Sequence, residues 1–100
     1  MYVSRLTFST LPGHTGEVEQ KLLRLRDLVI QAGGKNVRVL RGHFGSLGAP
    51  DVVFEQDVAD LATLESEIGS VTGTSSFQTL SHEISSLLAR TPKREVYQVL

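Results

Sequence analysis

The chain opens on an alternation with a period of two. Tyr2, Ser4, Leu6 and Phe8 fall on one side and Val3, Arg5, Thr7 and Ser9 on the other, which is a strand with one apolar and one mixed face. Pro12, with no amide hydrogen for a sheet ladder, and Gly13, which permits a tight turn, stop it. The period then lengthens. Val18, Leu22, Leu25, Val29 and Ala32 make one helical stripe, with Glu17 and Glu19 in the first turn where the helix dipole favours negative charge, and Gly33-Gly34 predicts a left-handed stop. Asn36 to Phe44, rich in Val37, Val39 and Leu40, reads as a second strand and Asp51 to Asp57 as a third. The short Gly45 to Pro50 return between them implies an antiparallel hairpin. A second helical stretch begins beside Asp60, whose carboxylate can cap free amides. It carries two stripes, first Leu61, Leu64, Ile68 and Val71, then Phe77, Leu80, Ile84, Leu87 and Leu88. The polar run around Gly73 predicts a break there, with Ser75 or Ser76 starting the new helix. Pro92 closes the region and Arg94 to Leu100 forms a fourth strand.

Strand, helix, strand, strand, helix, strand is the order of an α+β, ferredoxin-like βαββαβ domain. One domain is expected over 1–100, with a four-stranded antiparallel sheet of strand order 4-1-3-2 and the helices on one face. The opposite face then lacks a cover, and a chain of 100 residues has no third layer to supply it. A second copy is the expected cover, giving a homodimer with an enclosed space between two sheets. The composition, 40% hydrophobic with nine glycines, is that of a globular domain, and no apolar run approaches the roughly 18 residues of a membrane span. Ten basic and eleven acidic residues give a net charge of −1 without a block of like charge, which argues against nucleic acid or an anionic membrane as a partner. The absence of cysteine excludes disulfides and thiol chemistry. Met-Tyr-Val-Ser-Arg alternates like a strand and lacks the basic and apolar regions of a secretory signal, so a cytoplasmic location is expected.

The βαββαβ order, the Pro12-Gly13-His14 turn into the first helix, the Phe77 helix after a serine-rich break and the terminal Arg94-Glu95-Val96-Tyr97 strand carry a resemblance. Across nearly its whole length the chain resembles the dimeric α+β barrel superfamily, and within it the small antibiotic-biosynthesis-monooxygenase-like and NIPSNAP-like domains. The resemblance implies two sheets facing each other across a two-fold axis. It also implies a cofactor-independent monooxygenase or isomerase acting on a small aromatic or polyketide-like molecule, with no metal and no cofactor. Haem-degrading relatives use an asparagine in the first strand, a tryptophan on the second helix and a histidine one turn after an aromatic. Here the strand position lies near Leu6, tryptophan is absent, and His82 follows Phe77 by five residues, off the apolar stripe, so haem chemistry is disfavoured. One architecture hosts many activities, and the alternative reading is a non-catalytic homodimeric binding or assembly module of unknown ligand.

Candidate chemistry is sparse. His14 opens a helix and His82 lies on a solvated helix face, neither in a metal-ligand spacing. His43, in phase with Val37, Val39 and Arg41, is either a hydrogen-bonded histidine at the mouth of the barrel or an acid or base facing a ligand. Arg5 is in phase with the strand face turned away from the helices, where a buried guanidinium needs an anion. Glu55 on the neighbouring strand shares that phase, so the two form a structural cross-strand pair or clamp a substrate. Tyr97 adds a phenol to the same space if its strand takes that phase. His43 and Tyr97 are thus the candidate proton carriers, and Arg5 and Glu55 the candidate substrate-binding residues, for a small organic ligand.

Overall fold

The computed structural model describes Met1–Leu100. Its elements in chain order are β1 (Tyr2–Phe8), α1 (Thr15–Gln31), β2 (Lys35–Arg41), β3 (Val52–Val58), α2 (Leu61–Thr72), α3 (Ser75–Ser85) and β4 (Lys93–Gln98). The four strands form one antiparallel sheet in the order β2-β3-β1-β4. This is the ferredoxin-like arrangement that the order of elements predicts. The molecule is a slab of 36 × 35 × 18 Å, thick enough for one sheet and one layer of helices.

Apolar burial is concentrated in the space between those layers. Val18, Leu22, Leu25 and Val29 of α1 meet Phe8, Val52 and Phe54 of the sheet, with Val71, Leu80 and Ile84 closing the cluster from α2 and α3. The ends of the helices follow from local chemistry. Ala32 ends α1, Gly33 takes a φ of 99°, and Gly34 passes so close to α1 that a Cβ there would lie 2.6 Å from the Val29 side chain. The Asp60 carboxylate accepts the Thr63 amide at 2.7 Å and starts α2, and the Thr74 hydroxyl accepts the Phe77 amide at 3.2 Å and starts α3. Gly73 stays in the right-handed region, so the break near it is made by the Thr74 cap rather than by a left-handed turn.

Register fixes which side chains share a face. Opposite Val52, Phe54, Gln56 and Val58 stand Phe8, Leu6, Ser4 and Tyr2, all turned toward the helices. Val3, Arg5 and Thr7 pair with Asp57, Glu55 and Val53 on the open face. On β4 the same pairing sends Lys93, Glu95 and Tyr97 to the open face and Arg94, Val96 and Gln98 to the helix face. In β2 the register shifts between Lys35 and Arg38, around Asn36 with a φ of 51°. The extra residue sets Arg38 opposite Glu55 and leaves Val39 opposite Phe54.

Strand boundaries depart from the sequence expectation at two loops. β2 stops at Arg41 rather than Phe44, because the Gly42 amide makes the final rung, to Asp51 O at 2.8 Å, and the chain then leaves the sheet. His43 therefore lies in an exposed loop and shares no sheet face with Val37, Val39 and Arg41. Phe44 and Leu47 of the same loop are almost wholly exposed. β1 stops at Phe8, and Thr10 makes only an isolated bridge to Leu88, which follows α3 rather than belonging to it.

Candidate functional site

The open face carries a row of alternating charge, one residue from each strand. Arg38 of β2, Glu55 of β3, Arg5 of β1 and Glu95 of β4 follow one another in register. Glu55 is only 4% exposed because two guanidiniums cover it. Arg38 Nη2 donates to Oε1 at 2.5 Å, and Arg5 Nη2 stands 3.2 Å from Oε2. The Arg5 guanidinium also stacks 5.3 Å from the centre of the Tyr97 ring, a cation–π contact, while the Tyr97 hydroxyl donates to Glu95. That hydrogen bond, with a smaller contribution from burial, raises the Tyr97 phenol above its ordinary value. A phenol so held keeps its proton near neutral pH and is a poor base.

Of the four candidates, Arg5, Glu55 and Tyr97 come together on this face, and His43 does not join them. Arg38 is the partner that the sequence reading missed, although its alternation with Val37 and Val39 marks it as facing away from them. His14 pairs with Glu17 one helical turn on, at 2.9 Å, and His82 is exposed. No three His, Asp or Glu side chains lie close enough together to hold a metal ion.

A second polar group lies on the helix face, and its signal in the sequence was two interruptions of apolar stripes. Ser4 interrupts Tyr2, Leu6 and Phe8, and Gln56 interrupts Val52, Phe54 and Val58. These two residues are direct cross-strand partners, and both are buried. Ser4 Oγ accepts from Arg94 Nη1 at 2.6 Å, and Gln56 Nε2 donates to Glu67 Oε2 of α2 at 2.6 Å. Arg94 projects from the exposed edge strand, but its guanidinium reaches beneath the helices. Burial lowers its pKa, and no carboxylate lies within ion-pair distance of it.

Two adjoining cavities open here between sheet and helices, and Leu6, Leu25, Phe77 and Arg94 line both. The larger, about 230 Å³, runs along α3 past Leu80, Ile84 and Pro92, and its other walls are mainly apolar. The smaller, about 90 Å³, reaches Ser4, Gln56 and Glu67 under α2. The arrangement is a largely apolar slot with a cation on one wall, an anion on another, and a neutral hydrogen-bond partner for each. A groove of about 420 Å³ between α1 and α3 is open to solvent, with Leu28 and Leu80 as its only apolar side chains among Arg24, Ser75, Ser76, Thr79 and Glu83.

No protein-family model matches the chain, and no curated protein matches it in sequence. Solved structures do match. An uncharacterized NIPSNAP domain protein from Burkholderia xenovorans superposes with a TM-score of 0.79 at 16% identity, covering 100% of this chain and 95% of that one. A protein from Nitrosomonas europaea, provisionally named an antibiotic biosynthesis monooxygenase, gives 0.75 at 16% identity over 100% and 99% of the two chains. A similarly named protein from Caulobacter crescentus gives 0.74 at 17% identity over 99% and 89%. The chain has the fold of the antibiotic biosynthesis monooxygenase-like and NIPSNAP domain proteins, as the resemblance in its sequence implies.

Proposed function

We propose that this protein is a small cofactor-independent enzyme of the monooxygenase or isomerase kind, acting on an aromatic or polyketide-like molecule held in the slot between sheet and helices. The observation that carries the reading is Arg94, a partly desolvated guanidinium on the wall of a largely apolar cavity with a serine hydroxyl as its hydrogen-bond partner and no carboxylate paired to it. A cation kept without its anion is poised for one that arrives with a ligand. Enolates and phenolates fit such a wall, because their apolar rings match the rest of the lining and their oxygens match the guanidinium.

Holding that oxyanion gives the chemistry a common first step. Loss of a proton beside a carbonyl yields an electron-rich carbanion, and reprotonation at another carbon is isomerisation. Attack of the same carbanion on O2, followed by loss of water, turns a CH2 into a C=O, and the two hydrogens and one oxygen atom leave as water without an added reductant. The names of the structural neighbours support the oxygenase branch. Arg5, Glu55 and Tyr97 serve instead as a scaffold on the open face, where each charge is already partnered. The second copy that covers this face is part of the same proposal.

Oxygen uptake with anthrone as the trial substrate, in the absence of flavin, haem or metal, tests it. Uptake is expected with the unaltered protein and should fall at least roughly tenfold in Arg94→Met, the loss of one charge-assisted hydrogen bond. Equal uptake by the two proteins removes Arg94 from the mechanism. Binding of anthrone without turnover favours the non-catalytic binding module.

A further inference from the structure

We infer that Glu67 is the proton acceptor of this slot, with Gln56 as the residue that positions it, and that the ligand is an acidic enol or phenol that enters neutral and is held as its anion. The inference rests on the reading of the slot as a ligand site and adds who takes the proton.

Two charged side chains line the inner cavity, Glu67 and Arg94, and they are not paired with each other. Each is held by a buried neutral group of the sheet, and those two groups, Gln56 and Ser4, sit side by side in register. The sequence of contacts is Arg94, Ser4, Gln56, Glu67, with the ions at the ends and neutral groups between them. Ser4 and Gln56 stand on neighbouring strands about 5 Å apart, so the two tethers hold the ions apart rather than together. A salt bridge would have satisfied both charges directly and closed the slot. Separate tethers leave a gap that a small polar molecule can complete.

The tethers also fix the chemistry. Gln56 Nε2 occupies Glu67 Oε2, which leaves Oε1 without a partner in the protein. Gln56 is 6% exposed, so its amide cannot swing into water and its hold on the carboxylate is a fixed orientation. A ligand O–H or an acidic C–H directed at Oε1 loses its proton to the carboxylate, a new O–H forms on Glu67, and the electron pair left behind becomes an oxyanion at Arg94. Charge is conserved in the slot. A carboxylate and a neutral ligand become a carboxylic acid and an anion, and the guanidinium is the group that makes the exchange favourable. No other charged residue lines the inner cavity.

A coloured acid reports both partners. 4-Nitrophenol changes its absorption when it ionises, and because the two cavities adjoin and share Phe77 and Arg94, its ring can lie in the larger one with its hydroxyl directed into the inner one that Glu67 lines. At a mildly acidic pH, where the free probe is protonated, the spectrum of the bound probe gives its ionisation state. Binding heats in two buffers of different ionisation enthalpy give the protons exchanged with solvent. The unaltered protein should bind the probe as phenolate and release no proton, because Glu67 keeps it. Glu67→Gln preserves the hydrogen bond to Gln56 and should melt like the parent. It should bind the probe either protonated or with release of one proton per probe. Arg94→Met should weaken binding at least tenfold. Identical spectra and proton counts for the parent and Glu67→Gln, with binding still dependent on Arg94, would overturn the role of Glu67 and leave the slot as a ligand site. No saturable binding to the parent at millimolar probe would count against the slot itself.

Discussion

At the scale of single residues, Glu55 changes what Arg5 can be. A lone ion pair would leave Glu55 uncompensated on loss of Arg5, but Arg38 holds its other oxygen. Arg5→Met alone should therefore cost only about 1 kcal/mol in urea unfolding, the scale of one partly exposed pair. Removing both guanidiniums strands a buried carboxylate, and Arg5→Met with Arg38→Met should cost about 3–5 kcal/mol, much of it recovered by adding Glu55→Leu. A double variant as stable as the parent would mean that Glu55 is reached by water. A second prediction concerns acid. Arg41 donates two hydrogen bonds to Glu19, and these, more than the attraction between the charges, hold the Glu19 carboxyl below its ordinary range. A lowered carboxyl stabilises the fold above its unfolded pKa, and that stability is lost as the pH falls through the lower folded value. Arg41→Met should thus flatten the fall in melting temperature between roughly pH 5 and pH 3. An unchanged slope would remove this pair from the acid response.

At the scale of elements, β4 does more than complete the sheet. It pairs with β1 from Tyr2↔Gln98 to Thr7↔Lys93, contributes Tyr97 to one face and Arg94 to the other, and yet none of its residues is buried. Its strand hydrogen bonds and its few side-chain contacts must hold it in place. Deleting Arg94 to Leu100 takes away that ladder and opens the edge of the slot. The cooperative thermal transition should be lost, since β1 would become an edge strand with its buried Ser4 hydroxyl unpartnered. A truncated protein that melts like the parent would show that β4 is a loosely attached arm. The broken helical stretch has a comparable double role, because the cap at Thr74 lets α3 turn independently of α2 and makes room for the cavity that both line with Phe77 and Val71.

At the scale of the whole molecule, the slab has one protected face and one open face. Fifteen of the 100 residues are buried, and the apolar members of that set lie in or beside the helix–sheet layer. On the other side Leu40 and Tyr97 remain more than a third exposed beside the charge row, and Phe44 and Leu47 project from the β2–β3 loop. A face with apolar patches and internally neutralised charges is suited to a second copy, since the neutral row can be covered without stranding an ion. Light scattering should give about twice 10.9 kDa. A mass of one chain at micromolar concentration would contradict the proposed cover for the open face.

What the sequence determined by itself was the set of elements and their layer. Period two and period 3.6 are properties of neighbours along the chain, and Pro12, Gly33 and Asp60 act within a turn or two of where they stand, so the order βαββαβ and the helix-facing sides of β1 and β3 were legible, while β4 alternates too weakly for its phase to be read. The same local signals failed where a boundary depends on a distant rung. β2 ended at Arg41 because its hydrogen bonds run to β3, and that moved His43 out of the sheet. Only the tertiary structure decided the slot. Ser4 and Gln56 each look like a flaw in an apolar stripe, and nothing in 52 residues of separation says that they are opposite each other or that Arg94 and Glu67 come from two further elements to meet them. Register and the helix layer bring those four side chains together, and the physical reason is that a buried polar group must find its partner wherever the fold supplies one.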